Sequence, residues 1–214
     1  MQTAAFVRAE GPLFRYGAVR AAAWFAANAQ DLGSRAARLG GVALAAPFGL
    51  SDPTVALRLA WGALRGTSED RLEILGEEYW ATQLQGNLVR VGQDLVDRAR
   101  ADGHRVVLLS DHPDCVARHL AAAIRADDCI CNHLELRAGR ATGRIADPLA
   151  SRFGGPALQA YATAHGLSLA GSLAYGTSGS DIALLAGVGR PCAVDPAADL
   201  RRAARDLDWP VVVS

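Results

Sequence analysis

Short apolar runs alternate along the chain with longer stretches in which apolar residues recur every three or four positions. The apolar runs predict six β-strands, at residues 3–7, 105–110, 128–136, 172–175, 191–194 and 210–213. The stretches of helical spacing predict helices at residues 113–125, 156–165, 180–186 and 198–208. Because strands alternate with helices, the pattern predicts an α/β fold, a parallel sheet with helices on both faces.

The segment 16–86 departs from this alternation. It is rich in Ala, Leu and Trp, contains helical spacing such as Leu57, Trp61 and Leu64, and has no convincing strand. It predicts an all-helical cap, residues 16–86, inserted after the first strand of an α/β core that comprises residues 1–15 and 87–214. A unit inserted there lies over the sheet edge at which ligands bind, so we expect the cap to cover a site.

Two local signals predict details of this architecture. Ser68, followed by the acidic residues Glu69 and Asp70, is typical of a helix N-cap with negative charge in the first turn. Glu69, Asp70 and Glu73 are then expected on a solvated face. Residues 132–145 alternate apolar and polar positions around Ala138-Gly139, which predicts a β-hairpin.

Composition narrows the function classes. The chain has 214 residues, half of them hydrophobic, and its 22 basic residues balance 22 acidic ones, so no net charge favours a nucleic-acid partner. No apolar run approaches the roughly 20 residues that span a bilayer, so we expect no transmembrane segment. Four scattered cysteines and an N-terminus without a signal-peptide pattern predict a cytoplasmic protein.

All 22 basic residues are arginine, because the sequence contains no lysine. This composition excludes chemistry that depends on a lysine amine, such as a Schiff base or a lysine phosphate clamp.

The end of the first strand carries an unusual group. The apolar run 4–7 leads into Arg8-Ala9-Glu10 and then Gly11-Pro12, the composition of a strand that enters a tight turn. Strand ends of α/β proteins are where ligands and catalytic groups lie. A cation at this position is therefore a candidate binding group or a structural one.

Several segments together resemble one family. The first strand with its acidic turn, the helical cap, GHRVVLLS, the hairpin LELRAGRATGRI and the stretch LAYGTSGSDIALLAGVGRPCAVDP resemble the haloacid dehalogenase superfamily, and in it the phosphoserine-phosphatase-like members with a helical cap. The resemblance covers nearly the whole chain in the same order and spacing. It implies a three-layer, Rossmann-like core with a parallel sheet.

The first motif of that family is altered here. Members have a strand that ends in Asp-x-Asp-Gly-Thr, in which the first Asp attacks phosphorus and the second is the general acid and base. At these positions the chain has Arg8, the longer acid Glu10, Gly11 and then Pro12. A guanidinium has no available lone pair, so Arg8 cannot replace the nucleophile.

The resemblance also assigns the other three motifs. Ser110, at the end of RVVLLS, matches the hydroxyl residue that binds the phosphoryl group, whereas the family's lysine has no counterpart except the weak candidate Arg152. In the fourth motif Asp181 matches the second acid, but Thr177 stands where the first acid would bind Mg²⁺. We therefore expect the magnesium site to be lost and no cofactor to be bound.

These losses predict a pseudo-phosphatase, a non-catalytic relative that binds a protein partner or a small phosphorylated ligand. Two alternatives stay open. One is a weak or atypical phosphomonoester hydrolase that uses Glu10 or Asp181 as nucleophile or base. The other is a structural subunit of a larger complex, with an interface on the apolar cap helices.

Arg8 has two possible roles in such a protein. Its charge could take the position of Mg²⁺ and pair with Asp181 and Glu10, which is the favoured interpretation. Alternatively Arg8 could bind a phosphoryl group together with Gly11, Ser110, Asp111 and the helix N-termini near residues 113 and 178. The structural interpretation of Asp111 is a helix N-cap, and that of His112 is a surface or capping residue.

Two other groups of residues have both structural and functional interpretations. Cys129, Cys131 and His133 alternate along a predicted strand; they could begin a metal site, but a strand that buries small thiols is favoured. The tryptophans of the cap could line a substrate cleft, but a core role is favoured. They are Trp24, Trp61 and Trp80.

Overall fold

The computed structural model describes residues 2–28, 32–43, 53–146 and 150–213. Its centre is a sheet of six parallel strands in the order β3-β2-β1-β6-β7-β8. The strands are β1 Ala4–Arg8, β2 Arg105–Pro113, β3 Asp128–Asn132, β6 Leu173–Gly176, β7 Arg190–Val194 and β8 Val211–Val212. A separate antiparallel hairpin consists of β4 Leu134–Arg137 and β5 Arg140–Ile145.

The helices lie in two groups along the chain. Between β1 and β2 are α1 Ala18–Ala27, α2 Leu32–Ala43, α3 Pro53–Gly62, α4 Glu69–Tyr79 and α5 Arg90–Ala101. After β2 are α6 Asp114–Ala123, α7 Pro156–Ala164, α8 Ile182–Leu185 and α9 Ala198–Asp206. Helices α5 and α6 pack on one face of the sheet and α7, α8 and α9 on the other, which makes three layers.

These elements confirm the predicted fold class, an α/β core with a parallel sheet and helices on both faces. The predicted helices and five of the six predicted strands are present, with shifts of a few residues at their ends. The prediction of a single strand at 128–136 was wrong, because β3 ends at Asn132 and the chain then leaves the main sheet as β4. A continuous apolar pattern cannot reveal that its second half pairs with a different strand.

Strand β1 is at the centre of the sheet because both of its faces are apolar. Ala5 and Val7 face the cluster that includes α5, α6 and the helices α1, α3 and α4, whereas Ala4 and Phe6 face α7, α8 and α9. Each of its five residues is buried. This burial on both sides is typical of a central parallel strand, and it carries Arg8 into the interior at the carboxyl end.

The helices between β1 and β2 enclose an aromatic cluster. The rings of Trp24, Phe25, Trp61 and Tyr79 pack against one another with centroid distances of 5.4–5.9 Å. Trp61 and Tyr79 are fully buried. The core interpretation therefore agrees with the packing of Trp61, and Trp24 and Trp80 are partly buried against the same apolar cluster. The division into a core and a cap at residues 16 and 86 stays a prediction, and part of that segment, residues 29–31 and 44–52, lies outside the described residues.

Two predicted local features are confirmed. The Ser68 side chain accepts a hydrogen bond from the backbone N–H of Arg71, as an N-cap does. The hairpin turns at Ala138 and Gly139, which both have positive φ, as a two-residue turn of this kind requires. The hairpin packs on α3 and its Ala141 exchanges backbone hydrogen bonds with Gly66 and Thr67, so it joins the core to the preceding helices.

Candidate functional site

The side chain of Arg8 lies among three carboxylates at the carboxyl end of β1. Its Nη2 is 2.7 Å from Asp111 Oδ2 and 3.3 Å from Glu10 Oε2, and its Nε is 3.1 Å from Asp181 Oδ1. Its Nη1 donates to the carbonyl oxygen of Ala150 at 3.3 Å. Only 4% of Arg8 is exposed, so the guanidinium is a buried cation surrounded by acceptors.

The charge of Arg8 is stable in this position. Burial opposes the charged form, but the attraction of Asp111, Asp181 and Glu10 outweighs it and raises the pKa of the guanidinium above its ordinary value. Three carboxyl groups surround one positive charge, so they outnumber the cation that they share. Removing one partner of a buried ion pair is strongly destabilising, so the cluster is expected to depend on its cation.

Glu10 occupies a cradle of three hydrogen-bond donors at the end of β2. Its Oε1 is 2.8 Å from Ser110 Oγ, 2.8 Å from the backbone nitrogen of Asp111 and 2.8 Å from His112 Nδ1. Because a carboxylate only accepts hydrogen bonds, all three groups donate to the same oxygen, and the neutral or charged His112 carries a proton on Nδ1.

These donors keep Glu10 ionised. Burial would raise the pKa of Glu10, but the hydrogen bond from His112 and the charge of Arg8 outweigh burial and lower that pKa from 4.5 to about 2. Burial raises the pKa of Asp111, although Arg8 opposes the change. Glu10 and Asp111, two of the three carboxylates beside Arg8, therefore differ in their electrostatic environment.

Asp181 is held by the loop that follows β6. Its Oδ2 accepts from the backbone nitrogens of Thr177 at 2.8 Å and Ser178 at 3.0 Å, which leaves Oδ1 for Arg8. The hydroxyl of Thr177 donates to the carbonyl oxygen of Asp195, at 3.0 Å. Thr177, which stands where the first acid of the family's fourth motif would bind Mg²⁺, thus directs its hydroxyl hydrogen to a backbone carbonyl.

In the alternative interpretation of Arg8, the helix start near residue 178 would donate to a bound anion, but its first amides already have acceptors within the chain. The amides of Thr177 and Ser178 donate to Asp181, and the amide of Gly179 donates to the carboxylate of Asp199 at 3.0 Å. The chain's own carboxylates therefore occupy donors that an external anion would need.

Gly11 allows the first turn to approach this loop. It has φ +98°, and a Cβ at this position would lie 2.1 Å from Cγ2 of Thr177. Only glycine adopts that conformation readily and leaves that space, so the turn and the loop after β6 pack together through Gly11.

Asp111 and its surroundings differ from the structural expectation. The N-cap of α6 is Pro113, so the prediction of Asp111 as a cap was wrong, and its side chain instead contacts Arg8. Asn132, which is buried, donates to the carbonyl oxygen of Asp111 and accepts from the backbone nitrogen of Ala150. Asn132 was missed by sequence reasoning, although its place at the end of β3 is a signal of the same kind as that of Ser110.

The expectation that His112 lies on the surface was also wrong. Its side chain is fully buried, and besides Glu10 it lies 6.0 Å, between ring centroids, from Tyr79 of α4. The reason is that β2 continues to Pro113, with an irregularity in its pairing with β3 between Ser110 and Pro113, so residue 112 still belongs to the strand and its ring lies beside Tyr79 of α4. In the sequence, the position of this polar residue at the end of an apolar run was a signal that it lies at the site.

Two cavities open on this cluster. One, of about 390 Å³, is lined by Arg8, Glu10, Asp111 and residues of the loop 177–181. The other, of about 560 Å³, lies between α1, α3 and the loop and shares Glu10 and Asp111 with the first. Arg152, the weak candidate for the family's lysine, is exposed and lines the second cavity.

The resemblance implies Mg²⁺ at this place, but the residues present do not fit it. Magnesium requires oxygen ligands at about 2.0–2.1 Å in near-octahedral geometry. The space between the carboxylates of Glu10, Asp111 and Asp181 is filled by the guanidinium of Arg8. Within the described ranges, no three His, Cys, Asp or Glu side chains form a group that could hold a metal ion.

The remaining candidates do not join the cluster. His133 follows the end of β3, and its exposed ring lies 3.3 Å from Asp114 instead of beside the two thiols. Cys129 and Cys131 lie close together in β3. The hydrogen bond with Cys129, together with burial, raises the pKa of Cys131, so its thiol stays protonated.

No helix of the described residues is long and apolar enough to cross a membrane.

Comparisons with known proteins agree with this architecture. The family model for haloacid dehalogenase-like hydrolase matches residues 11–186. A curated relative, the phosphoserine phosphatase SerB1 of Mycobacterium tuberculosis, is 26% identical over 162 residues, which cover 75% of this chain and 53% of the relative. The chain spans about half the length of the curated relatives it matches.

Solved structures share the whole fold. A protein of unknown function from Bordetella pertussis Tohama I is 25% identical, with a TM-score of 0.83 over 99% of this chain and 98% of that one. A phosphoserine phosphatase in its apo form is 15% identical, with a TM-score of 0.71 over 100% of this chain and 94% of that one. The second likeness shows a phosphoserine-phosphatase-like fold and nothing about activity.

Proposed function

The chain belongs to the haloacid dehalogenase-like hydrolases, and we propose that it is a phosphatase-like member that has lost phosphohydrolase activity. On this proposal it acts by binding a protein partner or a small phosphorylated ligand. A cytoplasmic location and the lack of a nucleic-acid partner stay predictions.

The observation that carries the proposal is the position of Arg8. A guanidinium cannot attack phosphorus, and here it lies within 3.3 Å of an oxygen of each neighbouring carboxylate, Glu10, Asp111 and Asp181. In a phosphatase-like site the nucleophile and the metal ion act as a unit, so loss of either removes most of the rate enhancement. Arg8 replaces the first and fills the space of the second.

The similarity to a relative named phosphoserine phosphatase supports phosphomonoesters as the substrates of an active ancestor of this chain. The geometry gives less support to residual hydrolysis by Glu10 or Asp181. Glu10 Oε1 accepts three hydrogen bonds, and both oxygens of Asp181 are engaged by backbone amides or by Arg8. Glu10 Oε2 accepts no hydrogen bond within the described residues, but it lies 3.3 Å from Arg8 Nη2, and a carboxylate held against a guanidinium with its pKa lowered to about 2 is a weak base and nucleophile.

A structural role in a larger complex is the other alternative. Among the described residues of the cap, Phe25, Trp61 and Tyr79 are buried in the aromatic cluster described above, whereas Leu39, Leu59 and Ile74 are exposed. The aromatic residues of that cluster therefore do not supply an interface, and the exposed aliphatic side chains are scattered single residues of the kind that is normal on a protein surface.

The test is hydrolysis of a generic phosphate ester, p-nitrophenyl phosphate, with and without Mg²⁺. We expect the native protein to show no more turnover than Asp181→Ala, with or without the metal. Exposed Arg118, changed to Met, is the control for preparation and contaminating phosphatases. Magnesium-dependent turnover that is present in the native protein and lost in Asp181→Ala would overturn the proposal.

A second arm restores the family's acids with the double variant Arg8→Asp and Thr177→Asp. Turnover that appears only in this variant, and only with Mg²⁺, would support loss of activity through these two positions. The single variants serve as matched controls, because each restores one carboxylate without the other.

A further inference from the structure

The donors around Glu10 form an anion site inside the protein. A hydroxyl, a backbone N–H and an imidazole N–H come from three consecutive residues, Ser110, Asp111 and His112, and all point at Oε1 of Glu10. Each of the three distances is 2.8 Å, which is typical of charge-assisted hydrogen bonds. Consecutive donors that converge on one oxygen are the arrangement by which proteins bind oxyanions.

The location of this cradle is that of a ligand site. The three residues lie at the carboxyl end of β2, beside the central strand, where open α/β sheets bind their ligands. A cavity of about 390 Å³ is lined by the same carboxylate, so only the side chain of Glu10 separates the three donors from this cavity. Ser110 and His112 are fully buried, so the donors are fixed in position.

Glu10 reaches the cradle because of the backbone around it. Ala9 donates to the carbonyl oxygen of Leu109 and thereby keeps the chain beside β2, and Gly11, with φ +98°, turns it away directly afterwards. The side chain of Glu10 then spans the gap between the two strand ends. Its second oxygen, Oε2, lies 3.3 Å from Arg8 Nη2, so the carboxylate bridges the cradle and the guanidinium.

On the basis of the proposed loss of activity, we propose that the Glu10 carboxylate is the resident ligand of this oxyanion site and excludes phosphoryl groups and other small oxyanions from it. The pair of Arg8 and Glu10 fills the site with an internal cation and an internal anion. A free oxyanion must displace a tethered carboxylate whose local concentration is far higher than its own. Of the two ligand classes left open above, this favours a protein partner over a small phosphorylated compound at this site.

Thermal unfolding with inorganic phosphate, formate or chloride at matched ionic strength tests this exclusion. The native melting temperature is expected to show no saturable rise with phosphate or formate relative to chloride, because general salt effects grow with concentration and do not saturate. In Glu10→Ala the cradle is empty, and phosphate or formate is expected to raise the melting temperature saturably, by about 3–6 °C at ten times the dissociation constant, relative to chloride. Formate distinguishes a carboxylate-sized site from one that requires phosphate.

Three variants make the result specific. Glu10→Gln fills the same space with an amide oxygen, so no anion-specific rise is expected. Adding Ser110→Ala to Glu10→Ala removes a donor, and the anion is expected to bind at least fivefold more weakly. Glu135→Ala, which removes an acid of the hairpin, is expected to behave as the native protein does.

Two results would overturn the inference. One is a saturable rise in the native melting temperature with phosphate, which remains measurable even if Glu10→Ala does not fold. The other is a folded Glu10→Ala that responds to phosphate and formate as it does to chloride. Native phosphate binding without turnover would refute the internal ligand and leave the proposed loss of activity intact, whereas native turnover would refute both.

Discussion

Replacing Arg8 by methionine tests whether the guanidinium holds the buried acids together. Methionine keeps a long unbranched side chain, so the packing around β1 changes little, but the positive charge is removed. Glu10, Asp111 and Asp181 then face one another without the cation that lies between them. We expect a large loss of stability with the fold retained.

The magnitude follows from the burial of the carboxylates. The exposed fraction of the side chain is 14% for Glu10, 20% for Asp111 and 3% for Asp181, so water solvates these carboxylates poorly. Removing one partner of a buried ion pair costs about 3–5 kcal/mol, because the remaining charge is uncompensated. For a domain of this size, that loss corresponds to a fall in melting temperature of about 6–20 °C.

The loss should depend on pH with a defined sign. The pKa of Glu10 is lowered from 4.5 to about 2, so the stability that its ionisation contributes is present above pH 4.5 and is lost as the pH falls towards 2. Without Arg8 the pKa of Glu10 rises, and the variant lacks part of this contribution. The difference in the free energy of unfolding between the native protein and Arg8→Met should therefore be largest above pH 5 and should become smaller below pH 4.5.

Urea unfolding at several pH values measures both effects, since the midpoint and slope give the free energy of unfolding. The control is Arg118→Met, because Arg118 pairs with Glu73 between α6 and α4 with both side chains well exposed, and such a pair contributes only about 0–1 kcal/mol. A loss for Arg8→Met no larger than that of the control, or one that does not change with pH, would refute the reasoning.

Three further substitutions test individual contacts by the same unfolding measurement. Gly11→Ala should cost at least about 1–3 kcal/mol, because φ is +98° and the new Cβ meets Thr177; a neutral effect would mean that the turn is not packed as described. Ser68→Ala should cost about 1 kcal/mol through loss of the N-cap of α4, and an unchanged midpoint would argue against that cap. His112→Phe keeps a buried ring but removes the donor to Glu10, so we expect a loss of about 1–3 kcal/mol that shrinks in acid; a loss independent of pH would indicate packing alone.

Much of the fold was predictable because it depends on local pattern. Buried parallel strands are short apolar runs, and helices carry a period that a single sequence displays, so the alternation that defines the α/β core could be read directly. The exception, the strand predicted at 128–136, failed where two strands of different sheets follow each other without a turn signal. Local pattern contains no information about pairing partners.

The candidate site was predictable in part. Arg8, Ser110 and Asp181 all follow or end apolar runs, and parallel strands bring such positions to one edge, so their proximity could be inferred. The contact of Arg8 with Asp111, the burial of His112 and the role of Asn132 could not. Each depends on the exact residue at which a strand ends and on which face the next side chain takes.

The sequence by itself determined the α/β class, the cation at the end of the first strand and the absence of any lysine. Only the tertiary structure decided that Arg8 lies among three acids and that the Glu10 carboxylate occupies the donors of Ser110, Asp111 and His112. The physical reason is that Glu10 and these donors are about a hundred positions apart in the chain, and only the pairing of β1 with β2 brings them within hydrogen-bond distance.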